Sequence, residues 1–268
     1  MTRMATLCLA VSLLLSACKV EPAPEDLDGL AHWFWQHLDD EDSAALQEGA
    51  VNLYAALDGA SFEGPLYGTI STLSIEELGL VGHGDESNAE VYGVILANDM
   101  DCSTAGLEYQ IYSPDQAEMH PSTYVSYDRV YTTDRDAYEA RENDWLEWQS
   151  RYVVEGLGAN YSATINGGLR YVADLDDHEY GGPVLVARGV LDEPAPFGDS
   201  DTRGIFQDYQ LEIYFPMDTD RTMHVYAVWR EMVYLSSATF GDGNVQDFTL
   251  EGLYAWDEDA MDYCGVGP

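Results

Sequence analysis

Lysine is nearly missing from this chain. Lys19 is the only one among 268 residues, and all bases together number 11 against 49 acids, a formal net charge of −38. A phosphate-cradling P-loop needs its lysine and Schiff-base chemistry needs a lysine amine, so neither can be built in a body whose only lysine lies near the N-terminus. Nucleic acid is excluded as a partner as well, because its binding comes largely from Lys and Arg neutralising phosphates. Cysteine is scarce: Cys8, Cys18, Cys102 and Cys264 are the four present, and no Cys-x-x-Cys spacing points to redox work. After the first residues no stretch approaches the ~18 consecutive apolar residues that span a bilayer as a helix. The local signatures of catalysis are missing too, with no Gly-x-Ser-x-Gly, no His-Glu-x-x-His and no Gly-x-Gly-x-x-Gly after a strand. Gly79, Gly82 and Gly84 around His83 have the wrong spacing for the last of these and read as a loop. With 49 acids, carboxylate pairs fall together by chance and carry no glycosidase signal, so no catalytic residue is assigned. The acid surplus itself has two readings: mutual repulsion that keeps the protein soluble, or capture of cations or a basic partner.

What is present begins at the N-terminus. Met1-Thr2-Arg3 precedes an apolar run from Met4 to Leu15, broken only by Thr6 and Ser12, and then comes Leu15-Ser16-Ala17-Cys18. A basic start, a short apolar run and small residues before a cut mark export. This order resembles the signal peptide and lipobox of bacterial lipoproteins. The resemblance implies that Cys18 receives a diacylglycerol group, that the chain is cut after Ala17, and that the new N-terminus takes a palmitate-type acyl chain. Each buried methylene contributes about 0.8 kcal/mol, so two or three acyl chains hold a protein to a membrane where one is marginal. Lys19, where Asp would favour inner-membrane retention in this family, makes the outer membrane the preferred site in the cell envelope. Residues 1–17 are then the signal peptide and 18–26 a lipidated tether with Pro22 and Pro24, reaching about 25 Å at ~3.1 Å per residue. Residues 27–268 are expected to form one mainly β domain that opens with a helical hairpin over 27–58. In an exported, oxidising setting Cys102 and Cys264 are expected to pair; two separate buried thiols are the other reading.

Helical periodicity is confined to the start of that body. Leu27, Leu30, Ala31, Phe34 and Leu38 fall on one face behind Glu25, Asp26 and Asp28, and Leu46, Ala50, Leu53, Tyr54 and Leu57 repeat the spacing after a cap at Asp42 or Ser43. Trp33-Phe34-Trp35 puts aromatics on more than one helix face, for packing on a sheet or for a membrane or partner. From about residue 64 the period becomes two. Tyr209, Leu211, Ile213 and Phe215 alternate with Asp208, Gln210, Glu212 and Tyr214. After a turn at 216–220, Met223, Val225, Ala227 and Trp229 alternate with Thr222, His224, Tyr226 and Arg230. This reads as a hairpin with one buried and one wetter face. Strands are also expected over 66–73, 90–97, 106–113, 123–132, 184–191 and 245–256, and from Leu146 to Val154. Asn166-Gly167-Gly168, between Tyr161-x-Ala163-x-Ile165 and Leu169-x-Tyr171-x-Ala173, reads as a hairpin turn. The stretch 134–144 is helix or loop. The fold class is therefore α+β and mainly β: a large antiparallel sheet, barrel or sandwich, preceded by two helices.

No cofactor is expected. Calcium, which binds oxygen ligands alone, is the one metal the acidic turns could hold. Asp199 and Asp201 with Gly204 imitate the start of a calcium loop, but Arg203 and Gln210 stand where further ligands belong. Asp174, Asp176 and Asp177, beside His178, form a second acidic turn. The 19 tyrosines and 6 tryptophans suit a β core or a ligand surface, with Tyr124, Tyr127, Tyr131, Tyr152, Tyr161 and Tyr171 the rings in question. The main functional reading is an anchored, acidic envelope protein acting as a non-catalytic binding or structural module, its partner an envelope protein or a glycan. The alternative is a carrier or chaperone for a hydrophobic ligand in a β cavity, and the third is a hydrolase without a recognisable motif. A carrier needs an enclosed apolar cavity, an enzyme a cleft where titratable groups converge, and a structural module neither.

Overall fold

Asp26 starts the first helix. In the computed structural model, which describes residues 22–57, 64–156, 159–172, 183–234 and 242–266, its carboxylate accepts the backbone N–H of Gly29 and caps α1 (Leu27–His37). The lipobox, Cys18 and Lys19 lie outside the described residues. Part of the expected tether is docked: Ala23 is buried, and Asn52 of α2 (Ala44–Ala56) donates to the carbonyls of Ala23 at 2.8 Å and Pro24 at 3.0 Å. Leu30, Ala31, Phe34 and Leu38 are buried, as their 3.6-residue spacing requires. Trp33 and Trp35 are buried too. The Trp33 indole donates to Ala45 of α2 at 2.8 Å, and Trp35 donates to the Glu77 carbonyl at 3.2 Å, so neither faces a membrane or partner.

The rest of the described chain runs β1 (Leu66–Ile70), α3 (Ile75–Gly79), β2 (Tyr92–Met100), α4 (Thr104–Tyr112), α5 (Gln116–Met119), β3 (Ser126–Tyr131), α6 (Arg135–Glu139), β4 (Trp145–Gly156), β5 (Ala159–Val172), β6 (Val184–Leu191), β7 (Ala195–Pro196), β8 (Gly204–Pro216), β9 (Thr222–Val233) and α7 (Asp242–Val266). Nine strands form one sheet in the order β1-β2-β9-β8-β6-β5-β4-β3, with β7 beside β8 and every pair antiparallel. Two packed layers follow from the period of two. Tyr209, Leu211, Ile213, Phe215, Met223, Val225, Ala227 and Trp229 point to one face and form a core with α1 and α2. The other face is covered by α7 and α4. α7 packs on β2, near one end of the sheet, while α5 links β3, at the other end, to the same helix.

Three expectations are overturned. Residues 106–113 are helix α4, not strand: Ser103 caps it by accepting from Gly106 at 3.1 Å, and the buried positions Leu107, Gln110 and Ile111 have i, i+3, i+4 spacing. Residues 245–256 belong to α7, 25 residues long. Phe248-x-Leu250 mimics alternation locally, but the buried side chains Thr249, Leu253, Asp257 and Ala260 repeat at helical spacing, which only a longer window reveals. Asn166-Gly167-Gly168 is not a turn but lies inside β5. A Cβ on Gly168 would stand 2.7 Å from the Trp145 ring, and one on Gly167 would collide with the Trp148 indole, so these glycines make room for tryptophans on the neighbouring strand. Gly156 pairs with Ala159, so β4 and β5 are already side by side before Asn166-Gly167-Gly168. The ambiguous 134–144 stretch contains α6, capped by Asp134 accepting from Ala137 at 3.2 Å.

Cys102, just after β2, and Cys264, near the end of α7, are joined in a disulfide with their Cα atoms 5.7 Å apart, across a sequence separation of 162.

Candidate functional site

The face expected to be wetter is not open surface. Between it and α7 lies a cavity of about 450 Å³, within the usual size range of small-molecule sites. Its wall follows the strand period: Tyr127 and Arg129 on β3; Trp148, Ser150 and Tyr152 on β4; Ile165 and Gly167 on β5; Gln210 and Glu212 on β8; and Tyr226 and Arg230 on β9. α7 supplies Phe248, Leu253 and Trp256, and the segment after α5 supplies Tyr124. The rings pack on one another. Tyr127 and Tyr152 stack at 6.0 Å, Tyr124 meets both edge-on at 5.1 Å, and Tyr161 leads on to Phe197 at 5.6 Å. Burial pushes the phenols of Tyr124, Tyr152 and Tyr226 well above their ordinary range, so they present neutral hydroxyls.

The polar groups of the wall are mostly matched. Arg230 is half-buried and forks onto Asp208, its cross-strand partner, with two contacts of 2.9 Å. Burial alone would lower the Arg230 pKa, and Asp208 overrides that. Gln210 donates to Asp208 at 2.7 Å and accepts from the Tyr226 hydroxyl at 3.0 Å. Beneath the wall His224, with no exposed surface, donates Nδ1–H to Asp257 of α7 at 2.7 Å and stacks on Tyr214 at 4.2 Å. Its Nε2 lies 3.6 Å from Glu212. Burial works against its charge, but Asp257 and Glu212 outweigh it and push the imidazole up to about 9. Asn98 of β2 donates to the other oxygen of Asp257 at 2.9 Å, so α7 is clamped to β2 and β9 by a charged, hydrogen-bonded group. Tyr214 donates its hydroxyl to Glu212.

Of the six tyrosines singled out from the sequence, Tyr124, Tyr127, Tyr152 and Tyr161 line the cavity. Tyr131 instead donates to the Tyr112 carbonyl, and Tyr171 packs under Arg141 at 4.0 Å. The calcium candidates are not brought together. Asp199 and Asp201 sit in an exposed loop, Asp174, Asp176, Asp177 and His178 lie outside the described residues, and no group of three or more metal-ligating side chains occurs among the described residues. Sequence reasoning missed Arg129, Glu212 and Arg230 as cavity residues because charged positions alternating with apolar ones look like a solvated face. It missed Phe248 and Trp256 because their helix was read as a strand.

No protein-family model and no curated protein matches the sequence. Among solved structures the chain is similar to the lipid transfer and protein localization domain of human StarD13 (8% identity, TM-score 0.42, covering 75% of this chain and 84% of that one). It is similar also to a STAR-related lipid transfer protein fragment from Xanthomonas axonopodis (8%, 0.45, covering 75% and 96%) and to human StAR-related lipid transfer protein 5 (8%, 0.43, covering 82% and 95%). With every one of these TM-scores below 0.5, function has to be read from this chain's own residues.

Proposed function

We propose that this protein is an envelope-anchored carrier that holds a hydrophobic or amphiphilic small molecule between its sheet and α7. The observation that supports this is the cavity of about 450 Å³ walled by stacked aromatic rings, which neither a structural module nor a partner-binding surface requires. An apolar guest would remove ring surface from water at roughly 25 cal/mol per Å², the same effect that drives core burial. The neutral phenols would give it a few hydrogen-bonding groups without a charge to desolvate. Lipidation of Cys18 and an outer-membrane location complete the proposal.

The test is binding of a fluorescent apolar probe, N-phenyl-1-naphthylamine, to the soluble body beginning after Cys18, beside a variant in which Ala187→Phe fills part of the cavity. Ala187 lines the cavity and is itself buried. Saturable binding that weakens about tenfold or more in the variant, with the thermal midpoint little changed, is the expected result. A wild-type body that binds no apolar probe, or a filled variant that binds equally well, sinks the carrier reading.

A further inference from the structure

The carried ligand has a charged end, and the residue that meets it is Arg129: we propose that this guanidinium binds a carboxylate or phosphate group attached to an apolar body. The proposal rests on the carrier reading and narrows it to anionic amphiphiles.

The chain has far more acids than bases, and most of the described arginines have found one. Arg135, Arg141, Arg170, Arg188, Arg221 and Arg230 each lie within 4.0 Å of a carboxylate. Arg151 and Arg203, which have no such partner among the described residues, are solvent-exposed. Arg129 alone combines a place in the cavity wall with no carboxylate partner among the described residues. Its side chain is nevertheless held. Nη1 donates to the Ile111 carbonyl at the end of α4, Nη2 donates to the Tyr127 hydroxyl at 2.6 Å, and Nε donates to Ser150 Oγ at 3.3 Å. The guanidinium centre lies 4.2 Å over the Trp148 ring, and that indole occupies the space left by Gly167.

All these partners are neutral. A guanidinium carries five N–H groups; these bonds engage three, the neutral phenol of Tyr131 also lies within hydrogen-bonding reach, and the terminal nitrogens can still fork onto two oxygens of a carboxylate or phosphate. The contact with Ile111 is a favourable one for a cation at a helix C-terminus and explains where Nη1 points. It leaves the charge unneutralised. The other cavity charges are accounted for: Arg188 by Asp39, Arg230 by Asp208, and Glu212 by Tyr214 and the protonated His224; Glu155 and Glu251 lie at the exposed rim. A preorganised cation with aromatic surface beside it is what an anionic head on an apolar tail would select.

The experiment is displacement of N-phenyl-1-naphthylamine by three ligands of one chain length, dodecanoate, dodecyl phosphate and dodecanol, from the soluble body and from Arg129→Gln. The expected result is that one or both anions displace the probe at about tenfold or more lower concentration than the alcohol, since charge-assisted hydrogen bonds are the strong ones. Arg129→Gln should lose that preference, the three ligands then displacing the probe at similar concentrations. Which anion wins identifies the head group. Equal displacement by all three from the wild-type body overturns the proposal with the carrier reading intact, and needs no variant to fold. Loss of dodecanol binding in a folded Arg129→Gln would also overturn it, by showing a structural role. Failure of the probe to bind at all removes the carrier reading beneath it.

Discussion

At the scale of single residues, two buried histidines set opposite pH limits. His224 is pushed up to about 9 by Asp257 and Glu212 against its burial, so the folded state keeps a proton that the unfolded chain releases near 6.5. Its contribution is complete below about 6.5 and is lost as pH rises through 9. Burial pushes His120, stacked on Trp256 at 4.2 Å, down to about 3, so acid charges the unfolded chain first and its contribution is lost as pH falls from about 6.5 toward 3. Thermal midpoints scanned against pH are expected to peak near 6.5 and fall on both sides. In His224→Gln the alkaline fall should flatten while the acid fall remains, and an unchanged alkaline limb would show that His224 is not its source. Neither histidine stood out in the sequence, where His178 had the more acidic neighbourhood. The partners of His224 on α7 and β8 are distant in sequence, and only folding brings them to it.

Among the elements, the legible ones carried a pattern that agreed with their length. β1, β2, β3, β6 and the β8–β9 hairpin fall where alternation puts them, and α1 and α2 fall where the apolar spacing and Asp26 do. α4 and α7 were misread because a few residues of alternation outweighed a longer 3.6-residue repeat, and β5 because Asn-Gly-Gly is common in turns. Its glycines serve two tryptophans on the next strand, a reason no local window contains. The disulfide now has an element-level meaning: it fastens α7, which roofs the cavity, to the start of α4. Closing a loop of that length is worth about 5 kcal/mol as an upper figure on the chain-entropy account, and removing a native disulfide costs about 2–5 kcal/mol in small secreted domains. Cys264→Ser is expected to lower denaturant stability by roughly that amount and to weaken probe retention. A variant as stable as the wild type would show that the link holds nothing that the Asp257 clamp does not already hold.

For the whole molecule, the antiparallel architecture was readable and its use was not. One sheet face is mostly apolar and met α1 and α2 as expected, with Arg188 and Arg170 reaching Asp39 and the Leu38 and Asp40 carbonyls at the end of α1. The other mixes Tyr, Gln, Glu and Arg, a composition typical of solvent contact, and that mixture disguised the wall of the cavity. The proposed anchor is a property at this same scale. No helix among the described residues is long and apolar enough to cross a membrane. On the proposed lipidation of Cys18, Cys18→Ala is expected to move the full-length exported protein from the membrane fraction to the soluble fraction. Retention in the membrane would show that something other than acyl chains holds it.

The docking of Ala23 and Pro24 against Asn52 has one more consequence. With those two residues held, the proposed tether joins the body at α2. It starts on the side of the sheet that carries α1 and α2, opposite the cavity. On the proposed anchoring, the pull of the tether falls on the α1–α2 layer, and α7 over the cavity carries none of it.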